Sequence, residues 1–321
     1  MIEADDLDLL ITSFTAALVA APGAGEADAA LFELGWGDLL AAAPTQGAAA
    51  AFGALGATGS AACLLDDVVV HALGLDVGPT TGVVLPAPQR AVAPGRLIDG
   101  MLIIEGLVSA RCAAAESAIV PVSDGSEHFL MLVDARVLPA TKVALDPRAP
   151  FHRAIVALPS SASTLVADGR DWDVAVAAAR AALAHQLIAA SRAMLAVARQ
   201  HAVDRVQFGR PIASFQALRH KLAESLAAIE GAAAVAEAFT DDSDPLLAAV
   251  AKSLAGKAAR TTATHAQQVL AGIGFTTDHQ FHLSLKRTLV LDTLFGSART
   301  LPTEIGAALL ALSNAPRLVE L

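Results

Sequence analysis

The spacing of apolar positions along the chain changes twice. Over residues 1–82 they recur at three- and four-residue intervals, predicting short helices at 6–18, 26–40, 47–55 and 61–75, the first of them stopped by the breaker Ala21-Pro22-Gly23. In the last of these, Asp66 and Asp67 are assigned to the solvent side. Over residues 83–168 the pattern becomes short β-branched runs punctuated by Gly, Pro and Asp: 82–85, 101–104, 118–122, 129–133, 141–144 and 153–158. Regular runs with turn signals between them predict a small antiparallel barrel or sandwich. Over residues 169–321 the helical period returns. Helices are expected at 173–204, 215–239, 246–270 and from 283 to 295, broken at Gly209 and Pro211 and by the acidic loop Asp241-Asp-Ser-Asp-Pro245, which also caps the third. Long helices joined by short loops predict a four-helix bundle. The fold class is therefore α+β and mainly α, with an N-terminal helical domain, a central β domain and a C-terminal bundle.

Composition sharpens this picture. The chain has 321 residues and is 55% hydrophobic, with 4% aromatic residues and no Tyr, so its apolar mass is largely Ala, Leu and Val. Such chains favour closely packed helices, because Ala loses no side-chain entropy in a helix and lets axes approach. The mean hydropathy of +0.54 raises the question of a membrane span. The apolar tract 175–203 is interrupted by Arg180, His185, Arg192 and Arg199, so no run is expected to reach the roughly 20 residues that a span needs. A large subunit interface is the expected destination of this surface. The net charge of −10 without a basic block argues against a nucleic acid partner. The acidic start Met1-Ile-Glu-Ala-Asp-Asp-Leu-Asp is unlike a basic targeting signal, and the expected location is cytoplasmic. Cys63 and Cys112 are too few for a disulfide framework, and no group of ligands at metal-binding spacing is found.

Two stretches carry candidate binding chemistry. The first is Arg205-x-Gln207-Phe208-Gly209-x-Pro211-Ile212-x-x-Phe215-Gln216-x-x-x-His220-x-Leu222-Ala223, and the second is Gln268-Val-Leu-Ala-Gly272-Ile-Gly274-Phe275. A guanidinium fork pairs two phosphate oxygens at once, and a side-chain amide can bond a polar linker. Arg205 also has a purely local reading, as a cation ending a helix, and Gly272 as part of a glycine-rich helix end. Read together and in register, the two stretches resemble the flavin-gripping half of the acyl-CoA dehydrogenases. The resemblance extends to Leu31-Phe-Glu-Leu-Gly-Trp36, to Asp278-His279-Gln-Phe-His282-Leu-Ser-Leu-Lys286-Arg287 and to the order of the three domains, and it is specific from about Arg199 to Ser297.

The resemblance implies that Arg205, Gln207, Phe208, Gln268, Gly272 and Ser297 contact FAD, with Arg205 and Phe208 reaching the pyrophosphate and adenine of a cofactor held mainly by a neighbouring subunit, and Gly272 giving the backbone room to approach it. It also shows what is missing. Dehydrogenation next to a thioester needs a carboxylate base beside the flavin. The commoner family position falls at Phe295, in Leu294-Phe295-Gly296-Ser297, and the alternative one falls at or near Ala179. Neither is an acid. The slots that stack and hydrogen-bond the flavin ring read Val84-Leu-Pro-Ala-Pro-Gln89 and Leu107-Val-Ser-Ala-Arg111, without the aromatic residue and the paired hydroxyl. What this implies is a short, non-catalytic subunit of an α2β2 acyl-CoA dehydrogenase of the actinobacterial steroid-degrading type, completing the FAD site of a full-length partner that acts on an acyl-CoA. Two other readings stay open: an autonomous homotetramer with Glu224 or Asp292 as a relocated base, and a scaffold that does not touch flavin.

Overall fold

The computed structural model describes residues 4–312 except 22, 77, 79, 81, 143–145, 147, 169–170 and 241–243. Pro22 of the first breaker, residues 143–144 of the expected fifth strand and 241–243 of the acidic loop lie outside the described residues.

Five helices open the chain: α1 (Ala4–Ala20), α2 (Ala24–Glu33), α3 (Trp36–Ala42), α4 (Pro44–Thr58) and α5 (Leu64–Ala72). The single helix expected over 26–40 is two, because Gly35 adopts φ +85, a left-handed conformation that ends α2 and turns the chain into α3. The turn buries Trp36, whose Nε1 donates to Asp67 Oδ2 at 2.9 Å. A second expectation also fails here. Asp66 and Asp67 are not on the solvent side but are buried, because the first turn of α5 fills the joint with the sheet and their carboxylates bond Ser109 and Arg111 across it.

The sheet has eight strands: β1 (Val84–Pro86), β2 (Gly95–Ile98), β3 (Met101–Ser109), β4 (Ser117–Ser123), β5 (His128–Asp134), β6 (Thr141–Lys142), β7 (Phe151–Pro159) and β8 (Ser163–Asp168), with a one-and-a-half-turn helix α6 (Ala110–Ala114) after β3. Their order is β6-β7-β3-β2-β4-β5-β8, with β1 also paired to β3. Pairing is antiparallel except between β2 and β4, which run parallel. Strands β2 and β8 were not expected. β2 is only four residues long, and the short apolar run Leu165-Val166-Ala167 of β8 lies largely on the exposed side of the sheet.

The C-terminal helices are α7 (Trp172–Asp204), α8 (Gln216–Glu237), α9 (Pro245–Leu270) and α10 (Phe281–Thr293), followed by a fifth, α11 (Leu301–Ala311), beyond the four expected. Their starts follow capping chemistry. The Asp171 carboxylate accepts from the Asp173 amide at 3.0 Å, and that of Asp244 accepts from Leu246 at 2.7 Å, with Pro245 at the first helical position. Helix α7 corrects the expectation about long apolar runs: by length and composition it could cross a membrane. In the fold, 78% of that apolar window is buried, against α4, α5, α8, α9 and α10.

The contact between α4 and α7 depends on a missing side chain. A Cβ at Gly56 would stand 2.2 Å from the Gln186 carbonyl and 2.8 Å from Ala189 Cβ. Gly56→Ala is therefore expected to force the helices apart and to lower the unfolding free energy by about 1–3 kcal/mol, read from the shift of the urea midpoint.

Candidate functional site

Helix α7 ends at Asp204 and the chain turns back through two short strands, β9 (Val206–Gln207) and β10 (Arg210–Pro211). The two residues between them, Phe208 and Gly209, have φ +53 and +74, the pair of positive values that defines the tight two-residue hairpin with a type I′ turn. Gly accepts this freely, whereas Phe does so at a cost. The Phe208 ring nevertheless remains 91% exposed, touching only the edge of Phe215 at 6.1 Å, while the Arg210 guanidinium covers the Phe215 ring at 4.5 Å. Arg205 is exposed, its backbone held by His201 and Ile212, and no carboxylate of the described residues pairs with its guanidinium. Gln207 is exposed and donates only to the neighbouring Val206 carbonyl at 2.7 Å.

Gln268 and Gly272 reach the same end of the bundle. An apolar cluster of Ala202, Ile212, Val269, Leu270 and Phe281 ties the end of α7, the hairpin exit, the end of α9 and the start of α10 together. His201 lies between the two stretches: burial first, then Arg205 and His279, hold its imidazole below its ordinary value. Gln268 is exposed, and nothing in the chain stands within 4 Å of a Cβ built on Gly272, so that approach is open. Phe275, 73% exposed, extends the outward apolar surface beside it. The end of the bundle thus carries an unpaired cation, two amides and two outward aromatic rings.

Ser297 lies at the opposite end. There the chain leaves α10, and Leu294, Phe295 and Ser297 are all buried. Phe295 takes φ +54 and packs on Trp172 with ring centroids 6.3 Å apart. Its carbonyl accepts from Arg180 Nε at 3.0 Å, while the rest of that guanidinium holds Glu304 of α11 through two bonds of 2.7 and 2.8 Å. Lys252, fully buried, donates to the carbonyls of Asp292 at 3.0 Å and Gly296 at 3.2 Å, the negative end of α10. Burial pushes its ammonium down to about 8, opposed by Asp292. Ser297 shares its hydroxyl with Thr300 at 3.2 Å, ahead of α11. Lys252 and Glu304 were not singled out in the sequence, and Arg180 only as a break in the apolar tract 175–203. Only long-range contact makes them a set.

The remaining base candidates are placed as follows. Ala179 is buried in α7 and carries no acid. Asp292 is buried, and its carboxylate accepts from the Ala298 amide at 2.9 Å, so it shapes the turn after α10. The Glu224 side chain is 71% exposed and sits 3.6 Å from His265, itself bonded to Ser225 and the Lys221 carbonyl.

The ring slots are occupied by the chain itself. Gln89 takes φ +65 and its amide donates to the Thr293 carbonyl at 2.7 Å, tying the loop after β1 to α10. Ser109 ends β3 with its hydroxyl given to Asp66 at 2.5 Å, and Arg111 turns inward from α6 to Asp28 and Asp67. No hydroxyl or ring of these slots is left facing a bound group.

Two hollows flank this end. A cleft of about 940 Å³ between the sheet and the starts of α7, α9 and α11 is lined by Arg96, Asp124, Asp173, Arg180, Asp244 and Glu304 among apolar residues. A narrower cavity of about 320 Å³ lies between α3–α5 and α7, lined by Leu40, Val68, His71, Ala182, His185 and Phe239, with no carboxylate among its described lining. Burial, with Arg192 adding to it, pushes His185 down to about 4, which makes its imidazole a weak proton acceptor near neutral pH.

Comparison with known proteins bears on the family and the fold. Residues 173–310 match the family model described as acyl-CoA dehydrogenase, C-terminal domain. Acyl-CoA dehydrogenase IpdE2 of Mycolicibacterium smegmatis is 37% identical over 143 residues, 44% of this chain and 44% of that protein. Acyl-CoA dehydrogenase FadE34 of Mycobacterium tuberculosis is 32% identical over 261 residues, 74% of this chain and 36% of that protein. The matched region thus spans less than half the length of these curated relatives. Among solved structures, the ChsE4-ChsE5 complex from Mycobacterium tuberculosis aligns with a TM-score of 0.74 at 20% identity, over 98% of this chain and 99% of that one. Glutaryl-CoA dehydrogenase from Mycobacterium smegmatis aligns at 0.76 and 19% identity, over 98% and 97%. These two likenesses establish the fold.

The two phenylalanines, Phe208 and Phe295, share a left-handed backbone and opposite surroundings. Phe295→Ala is expected to cost about 3–5 kcal/mol of stability through the cavity it leaves, and Phe208→Ala to change stability by less than about 0.5 kcal/mol. Equilibrium denaturation of both variants checks this contrast.

Proposed function

The chain belongs to the acyl-CoA dehydrogenase family, and from that premise we propose that it is a non-catalytic subunit that completes the FAD site of a full-length catalytic partner in an α2β2 assembly. In this reading Arg205 pairs with the cofactor pyrophosphate, Gln207 and Gln268 bond its polar linker, Phe208 lies against its adenine end, and Gly272 lets the α9–α10 connection approach. The flavin, when bound, accepts hydride from the acyl group. The partner supplies the ring seat and the base.

The observation that carries the reading is the contrast between the two ends of the bundle. At one, Arg205 is exposed and unpaired beside a Phe held left-handed in solvent, an arrangement that the chain's own packing does not explain. At the other, the base position is Phe295, packed on Trp172, and the ring slots are taken by internal hydrogen bonds. Filled slots support a ring seat elsewhere, and an exposed guanidinium supports the hairpin end as the place of a pyrophosphate. Ser297 is left out of the proposed set because it is buried at the far end of α7, where its hydroxyl is paired with the Thr300 hydroxyl and accepts from the Thr300 amide. The autonomous reading is disfavoured because Asp292 is engaged in a turn and Glu224 stands on the surface beside His265.

The ChsE4-ChsE5 structure is of a complex, and a second fold neighbour, with TM-score 0.73 and 17% identity, is the Tcur3481-Tcur3483 steroid ACAD G363A variant. On that basis we place the substrate among acyl-CoA thioesters with a bulky polycyclic, steroid-derived acyl group.

Arg205→Ala in the co-purified complex is expected to lower FAD affinity by about 1.5–3 kcal/mol, the range for a hydrogen bond to a charged group, read as a loss of flavin absorbance per complex on dilution. Unchanged flavin content would favour the scaffold reading. The lone chain is expected to be colourless, and a yellow lone chain that dehydrogenates an acyl-CoA would overturn the proposal.

A further inference from the structure

Three carboxylates and one guanidinium are sealed into the joint between the N-terminal helices and the sheet. Asp28 comes from α2, Asp66 and Asp67 from the first turn of α5, and Arg111 from α6, and all four are buried. Arg111 is shared. Its Nε donates to Asp28 Oδ2 at 3.3 Å, its Nη1 to Asp67 Oδ1, and the Phe32 ring lies beneath it at 5.4 Å. The other oxygens of these two carboxylates are also satisfied: Asp28 Oδ1 accepts from the Cys63 amide at 2.7 Å, and Asp67 Oδ2 from Trp36. Asp66 is different. It receives only the Ser109 hydroxyl, and its Oδ1 is buried without a hydrogen-bond partner.

One guanidinium balances one carboxylate. Two further negative charges out of water, one of them on a half-bonded group, are far costlier than a neutral carboxyl. The proton belongs on the carboxyl that gains least from being ionised, which is Asp66.

We propose that Asp66 holds a proton in the folded chain, and that losing it loosens the joint between α5 and the β3–α6 corner. This goes beyond the flavin reading and does not depend on it. The groups that face Asp66 divide: burial, Asp67 on its own helix and Asp28 on α2 favour the neutral carboxyl, Arg111 on α6 and the Ser109 hydroxyl on β3 favour the ionised one, and burial is the largest of these. The thiols of Cys63 and Cys112 are pushed up by burial and stay neutral. Helix α7, on the other side of α5, places no ion pair or hydrogen bond on Asp66 among the described residues. Burial raises Asp66 to about 7 and Asp67 to about 6, with Arg111 pulling both down. The consequence reaches the cavity against α7, because α5 supplies Val68, His71 and Ala72 to its wall.

The sign follows from linkage. The folded chain holds a proton that the unfolded carboxyl, with its ordinary value of 3.8, releases, so the joint is firmest below that value and weakens as pH rises through about 7. The test is hydrogen exchange of the full chain, in its complex if it requires one, across pH about 5 to 8 and corrected for intrinsic exchange. The opening equilibrium of peptides covering α5 and α6 is expected to grow up to tenfold per pH unit, flattening above about 7. Asp66→Asn, which keeps shape and the Ser109 contact without a titratable proton, is expected to flatten that slope. Opening that does not vary with pH in the wild type, or that keeps its slope in Asp66→Asn, would overturn the proposal. Should the variant not fold, infrared spectroscopy of the wild type decides: a protonated-carboxyl stretch titrating near pH 7 supports it, and its absence overturns it.

Discussion

The close packing of helix α7 is the constraint on which the other elements depend. It touches α4, α5, α8, α9 and α10, and it can do so because Ala179, Ala182 and Ala184 are fully buried with no side chain to separate the axes, and because Gly56 gives α4 its place beside Gln186. Small residues bring backbones together, and the gain is dense packing in place of large side chains. A helix held this firmly also fixes distance. Arg180, about two turns inside its start, and Arg205, just past its last residue, lie about 37 Å apart at 1.5 Å per residue. Events at one end do not reach the other by side-chain contact. This separation lets one end be filled while the other is left open.

The filled end is stabilised by the buried cations Lys252 and Arg180, and a third, Arg287, is paired half-way along α10 with its Nη2 left without a hydrogen-bond partner. Lys252 bonds the carbonyls that close α10, Arg180 joins Phe295 to Glu304, and Arg287 of α10 joins Asp146 and the Ser60 carbonyl. Arg287 thereby ties α10 to the loop before β7 and to the loop between α4 and α5. A buried cation left unpaired is strongly destabilising, so these pairings hold their loops in one arrangement. Arg205 has no such partner and lies in water, where leaving a guanidinium unpaired costs little. Its availability is cheap, and the geometry of the hairpin is what gives it direction.

Much of this was legible in the sequence, for reasons that can be named. Helical periodicity, the breakers Gly209 and Pro211 and the caps at Asp171 and Asp244 are local signals, and they placed the bundle within a residue or two. The hairpin stretch was legible because its residue types are unusual together. Other features depend on contacts distant in sequence and were not legible. Asp66 and Asp67 look like solvent-facing charges on an amphipathic helix until Ser109 and Arg111 arrive from more than forty residues away. Gly35 splits a helix that its neighbours would continue. Strand β2 is recognisable only from its pairing with β3 and β4. Ser297 followed Phe295 in the motif, and only the course of α10 shows that it lies far from Arg205.

Charge gives an independent reason for the division of labour between the two ends. The cleft beside the filled end is lined by Asp124, Asp173, Asp244 and Glu304, against Arg96 and an Arg180 already bound to Glu304. Asp124 is held down to about 2 by the Glu127 and Ser126 amides, so it is charged at any ordinary pH. A dinucleotide brings its own negative pyrophosphate, and a surface of excess carboxylates repels it over roughly a Debye length, about 8 Å at physiological salt. The hairpin end presents Arg205 and Arg210 with no carboxylate paired to either among the described residues. In a chain whose net charge is −10, these two guanidiniums, with Asp204 beside the first, make the hairpin end less repulsive to an anionic group than the cleft. Packing fills the ring slots and charge disfavours an anion in the neighbouring cleft, two separate places at the same end of the bundle.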